Sequence, residues 1–200
     1  SEMCIRDRKK LEFDKGKFWR YIAGKLLATL AALVLVLLAL FTALNTVNVQ
    51  VITEDGFSKR ASVILTPVEN SDTELLGKVF TQDFLNETEL DTQTRNRGYT
   101  ISNYAQSTSV SFHIVFPWSK KVKLTVEDEI SDISAALTST LPEDQVTDYF
   151  IQSGVYDVVL VKQNGSWLID SIEMKEDKTI KGEDIPQPSE SAEVTESWDE

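Results

Sequence analysis

The sequence predicts an α+β protein, with one N-terminal transmembrane helix followed by a small domain of two or three helices packed on a curved antiparallel sheet. Three observations predict this. Residues 26–44 contain no charge, proline or glycine, and a helix needs about 20 mostly apolar residues to cross a hydrocarbon core roughly 30 Å thick. Residues 57–66 and 71–85 then repeat apolar side chains at helical spacing. From residue 99 the repeat changes to alternation, closing with two β-rich runs on either side of Asn164-Gly165, the pair that favours a two-residue hairpin turn.

The apolar run fixes the frame. Only Thr29 and Thr42 interrupt it with polar side chains, and both can bond back to the helix backbone, so burial in lipid strands no donor or acceptor. A core helix of a small domain would show a polar face. A cleaved signal would have a shorter apolar region, and a cut after Ala43 would put bulky Phe41 where a small residue is wanted. The run therefore reads as a retained anchor. Residues 1–25 hold 8 bases against 4 acids, a charge of +4. Basic flanks stay in the cytoplasm, which predicts a single-pass cell-membrane protein with its N-terminus inside and its C-terminal domain extracytoplasmic. Phe18, Trp19 and Tyr21 fit an aromatic belt at the inner interface. Residues 1–8 look like the translation of a sequencing-library adapter and are set aside in reading the fold. They include Cys4, the only cysteine, so the outer domain must be held by its core rather than by disulfides.

Charge narrows the partners. The chain carries −12 in total, so the +4 of residues 1–25 and the neutral span leave −16 on the rest. Such a part repels nucleic acid and, taken as a whole, anionic head groups. The basic pairs and triplets Lys59/Arg60, Arg95/Arg97 and Lys120/Lys121/Lys123 read as solvated faces.

Residues 45–54 read as a linker, either a short strand or the unwinding end of the anchor. Asp55-Gly56 signals a turn, and the domain proper is expected over residues 55–176. A first helix places Phe57, Ala61, Ile64 and Leu65 on one face and ends at Pro67. A second is opened by the capping pair Ser71/Glu74 and carries Leu75, Leu76, Val79, Phe80 and Phe84 to about Leu85. Residues 86–98 are polar and read as a loop. Tyr99–Tyr104 is a short strand, and Val110, Phe112, Ile114 and Phe116 share one face of the next. Pro117-Trp118-Ser119 turns the chain, and Val122, Leu124 and Val126 line the return strand, which continues through Ile130 and Ile133, although Ile130, Ile133 and Leu137 also suit a helix. Pro142-Glu143-Asp144 opens a short helix with Val146, Tyr149 and Phe150 inward. Residues 155–163 and 166–174 form the final hairpin. Residues 177–200, whose last 19 hold seven acids and no base, read as an acidic disordered tail.

Val79-Phe80-Thr81-Gln82-Asp83-Phe84-Leu85 and the terminal hairpin with Gly165 and Trp167 resemble the nuclear transport factor 2-like superfamily, a cone of helices against a curved sheet. The resemblance covers residues 55–176. It departs from that pattern in lacking a clear third helix before the sheet and in having residues 128–153 as an insertion. A single anchor carrying such a domain is similar to bacterial envelope proteins, among them subunits of conjugative transfer channels. These are signatures of fold, and folds of this kind host many functions.

The residues do not assemble a reaction. The outer part has one histidine, His113, no cysteine and no glycine-rich phosphate loop, and hydrolase, kinase and redox motifs are absent. Acids pair as Asp128/Asp132, Asp144/Asp148 and Asp157/Asp170, as a domain of this charge produces by chance, and Glu127-Asp128-Glu129 lacks the ligand ladder of a calcium loop. His113, Trp118, Tyr104 and Trp167 are candidates for a cavity lining or a partner surface; Trp118, on a turn, suits a partner, Trp167 is most simply core, and His113, without metal-ligand spacing around it, reads first as a structural or surface residue. The expectation is a non-enzymatic extracytoplasmic module for protein interaction or assembly in a bacterial envelope, with no metal and no cofactor. Its partners would be the lipid bilayer, through residues 26–44, and a second protein or another copy. The alternatives are a ligand-binding domain or cryptic enzyme using the cone's cavity, and a subunit of a conjugative transfer apparatus.

Overall fold

The computed structural model describes residues 15–66, 75–87, 98–137 and 147–179. Residues 1–14, the capping pair Ser71/Glu74, most of the polar loop 88–97, the helix start at Pro142 and the chain from residue 180 lie outside the described residues. The fold is α+β, a long apolar N-terminal helix carrying a four-stranded antiparallel sheet.

Helix α1 runs unbroken over Lys15–Leu65, 51 residues, about 76 Å at 1.5 Å per residue. Its apolar part makes it a candidate membrane span. Around residues 26–44 the side chains face outward on nearly every side. The two threonines close their hydroxyls onto the helix, Thr29 Oγ1 donating to Lys25 O at 2.9 Å and Thr42 Oγ1 to Leu38 O at 2.7 Å. The linker expected over residues 45–54 is helix, and Asp55-Gly56 makes no turn. The reason is packing. From Val49 onward one stripe of α1, Val49, Thr53, Phe57, Ala61 and Leu65, is buried, and the gain from covering it outweighs the weak helix preference of one glycine, about 1 kcal/mol. Steps of four residues drift about 40° each on a helix with 3.6 per turn, so the stripe winds as it climbs, as a twisted sheet requires. Gly56 allows a close approach of α1 to the sheet: a Cβ there would lie 2.3 Å from Ile169 Cδ1 and 3.1 Å from Val79 Cγ1.

The strands are β1 (Tyr99–Val110), β2 (Lys121–Leu137), β3 (Gly154–Gln163) and β4 (Ser166–Asp177), in the order β1-β2-β3-β4. The hairpin forms at Asn164-Gly165, with φ of 51° and 88°, the left-handed pair a tight turn of this kind demands. Residues 121–128 of β2 pair with β3, and residues 126–137 pair with β1. Residues 128–137, read as a continuation of the return strand or as helix and, against the family pattern, as part of an insertion, are strand, with an irregularity near Asp132, whose φ is 52°. Two clusters pack beneath α1. One joins Phe57 to Val122, Leu124, Val126, Tyr156, Trp167 and Ile169; the other joins Ala61 and Leu65 to Tyr99, Ile101, Ile130 and Phe150.

Three further expectations are corrected. The helix read over 71–85 breaks within the described part: Phe80 bridges Ile169 in parallel, and Thr81 N and Ile169 N exchange hydrogen bonds with Ile169 O and Val79 O. Helix α2 (Gln82–Glu87) starts anew, with Thr81 Oγ1 accepting from Phe84 N at 3.2 Å as its cap. Residues 147–150 are irregular rather than helical. Residues 177–179, assigned to the tail, are tied down, with Lys178 N donating to Ser153 O and Thr179 Oγ1 accepting from Ser153 N.

Candidate functional site

The four candidate residues do not converge. Trp167 is 2% exposed and belongs to the core. Its indole Nε1 donates to Asn45 Oδ1 at 3.4 Å, and Lys162 Nζ stands 5.6 Å from its ring centre and also reaches Asn45 Oδ1. It thus fastens the β3–β4 hairpin to α1 one residue past the apolar run. Tyr104 is half-buried against the other cluster, at the far end of the sheet from Asn45. His113 and Trp118 lie on the segment between β1 and β2.

That segment departs from its expected strand. The β1 ladder ends at Val110, and Phe112, Ile114 and Phe116 face outward while Val115 between them is buried. The cause is a single anchor: Val115 N donates to Thr46 Oγ1 at 3.0 Å, which pins the chain to α1 and turns Val115 inward. Phe116 O then accepts from Ser119 N at 3.0 Å, closing a turn with Pro117 at its second position. Phe116 and Trp118 stack with ring centres 5.1 Å apart and planes within 5°. The exposures are Phe112 83%, Ile114 52%, Phe116 46% and Trp118 67%. Exposed His113 lines a shallow dimple with Thr46, Val49, Gln50, Phe112 and Leu124, whose cavity volume of about 10 Å³ is about what one water needs.

The sequence reading missed one polar group that the fold buries. Asp128 is 1% exposed on β2. Gln106 Nε2 and Thr108 Oγ1, from neighbouring β1, donate to its Oδ1 at 2.8 and 2.7 Å, while Oδ2 has no hydrogen-bond partner among the described residues. Burial raises its pKa above the ordinary carboxylate value, opposed by those two hydrogen bonds and by the charge of Arg60. Arg60 comes from α1, with its guanidinium carbon 5.3 Å from the centre of the Tyr156 ring. Burial likewise raises the Tyr156 phenol, whose hydroxyl donates to Gln152 O at 2.7 Å. The group joins α1 to three strands and so helps to hold the domain together, with the Asp128 carboxyl buried at its centre. Alternation could have flagged it, since Asp128 continues the inward register of Val122, Leu124 and Val126.

At the surface, Lys123 pairs with Asp157 at 2.9 Å, and that hydrogen bond holds the Asp157 carboxyl below its ordinary pKa. Lys178 pairs with Glu127 at 2.6 Å. Among the described residues, no group of three or more His, Cys, Asp or Glu side chains is arranged to hold a metal. No family model, curated protein or solved structure matches the chain.

Proposed function

We propose that this chain is a single-pass membrane protein that carries its α+β domain on the extracytoplasmic side as a non-enzymatic interaction or assembly module. The observation that carries the reading is the continuity of α1: the helix that is exposed all round over residues 26–44 becomes, without a break, the helix that fills the domain core. Such a part displays a domain at a set height above the membrane instead of letting it swing on a linker. The +4 N-terminal flank supports the orientation. An interaction role is supported over a ligand-binding one by the filling of the sheet's inner face with Phe57, Tyr156, Leu160 and Trp167, all at 2% exposure or less. The nuclear transport factor 2-like resemblance belongs to the same proposal, as the type of scaffold the module uses.

The test places one reporter thiol at Ala136, exposed near the end of β2, in a Cys4→Ser background. A membrane-impermeant maleimide added to intact cells is expected to label it. Labelling only after permeabilisation overturns the orientation. Cross-linking of the same membranes is expected to give a discrete complex, either with another copy or with one envelope protein, and a strictly monomeric product overturns the assembly role.

A further inference from the structure

The end of the domain nearest the apolar run differs from the rest of its surface in both polarity and charge. Val115 is bonded to Thr46, two residues beyond Leu44, which is about 3 Å along the helix axis. The chain then goes on through Phe116 and Trp118 before β2 begins at Lys121, whose partner Val161 lies next to the hairpin that Trp167 ties to Asn45. The stacked rings therefore project from the sheet end that sits at the exit of the span. The head-group layer on each side of a bilayer is about 5–8 Å deep, so the turn falls within it. Residues 45–53, 111–124 and 158–169, which build this end, contain Lys120, Lys121, Lys123 and Lys162 and no acid, with Lys123 paired to Asp157 at the border of the rim. Residues 125–137, climbing away from it, contain Glu127, Asp128, Glu129 and Asp132 and no base. A chain of net charge −12 has thus gathered cations on one rim.

We infer that this rim is a second membrane-contact surface: the segment Phe112–Trp118 seats its exposed apolar side chains in the interface of the bilayer that holds α1, with Lys120, Lys121 and Lys162 against lipid phosphates. Rings such as Trp and Phe partition favourably into the head-group region, and lysines beside them add attraction to anionic lipid. The occupant follows from continuity, because the patch adjoins an apolar helix surface that itself needs lipid. Two points of contact, one spanning and one seated, would fix the tilt of the domain, which one helix alone leaves free. The inference rests on the membrane-anchored reading above.

The full chain, with Cys4→Ser, is reconstituted in vesicles of zwitterionic lipid with or without an anionic lipid, carrying a nitroxide at one of three introduced cysteines: Leu35→Cys in the span, Ser119→Cys in the turn, or Ala136→Cys at the far end. Collisions with a water-soluble relaxation agent are compared with those of oxygen. Ser119→Cys is expected to be several-fold less accessible to the water-soluble agent than Ala136→Cys, with Leu35→Cys the least accessible. Adding Phe116→Ser and Trp118→Ser is expected to remove that difference. Reversing Lys120, Lys121 and Lys162 to Glu is expected to reduce it in the anionic vesicles only. If the turn is as water-accessible as the far end while residue 35 is protected, the docking is wrong and the anchor stands. If residue 35 is as accessible as the far end, the anchor itself fails. Protection at the turn that disappears on diluting protein into excess lipid assigns the patch to a second copy and overturns the lipid assignment.

Discussion

The two halves of α1 share one backbone and face two environments. Over residues 26–44 the apolar side chains point in every direction, and the few polar ones fold back onto the helix. Over residues 49–65 burial contracts to one winding stripe, and charges return on the other side, where Asp55 and Lys59 form an ion pair one turn apart. A helix uniform around its axis needs a surrounding solvent of one kind, whereas a striped helix needs a partner on one side. The contrast teaches that a domain boundary can fall inside an element: here it lies between Leu44 and Val49, with no turn to mark it.

The most damaging way to break this contrast is to put charge in the uniform half. Replacing both Leu30 and Leu35 by Arg should cost about 5–7 kcal/mol of insertion, at roughly 2.5–3.5 per residue. The protein should leave the alkaline-washed membrane fraction, and retention there would argue against a span. Next comes the striped half. Phe57 is fully buried and edge-on to Tyr156 at 5.4 Å, so Phe57→Ala should cost about 3–5 kcal/mol of domain stability in denaturant titrations and leave membrane retention unchanged. A smaller loss, about 1–3 kcal/mol, is expected for Gly56→Val, which forces bulk between α1 and Ile169. An unchanged denaturation midpoint would show that the close approach is not constrained.

The subtlest test concerns Asp128. Its folded pKa lies above the unfolded one because burial disfavours the charge. The folded state therefore binds more protons between those two values, and the domain should gain stability as pH falls from neutral through the folded pKa. Asp128→Asn should lose that part of the pH slope while still accepting from Gln106 and Thr108. An unaltered slope would assign it to other groups.

Much of this architecture was legible because single residues carried it. The long apolar helix follows from an uncharged length, the hairpin from Asn164-Gly165, and the β2 face from Val122, Leu124 and Val126. The rest was hidden by residues whose role is set by distant neighbours. Gly56 reads as a turn because a sequence does not show Ile169 pressing against it. Thr53 reads as polar although it is fully buried on the stripe. Phe112, Ile114 and Phe116 read as one face of a strand, but the ladder stops at Val110, and it is Val115, bonded to Thr46, that turns inward. Asp128 is camouflaged by Glu127 and Glu129 on either side, and only the strand register separates it from them. The exposed rim was visible only as a turn with a tryptophan, since its meaning depends on which end of the sheet meets the span.

Because α1 continues from its uniformly apolar half into the domain core without slack, the domain is phased to that half like a cam on a shaft. One residue inserted between Leu44 and Val49 would raise the globule by about 1.5 Å and swing it through about 100°. Its position along the helix axis would barely change, while the direction each of its faces takes around that axis would be entirely different. Spacing in that short stretch is thus a compass setting, and lengthening it residue by residue would sweep the same face around the horizon.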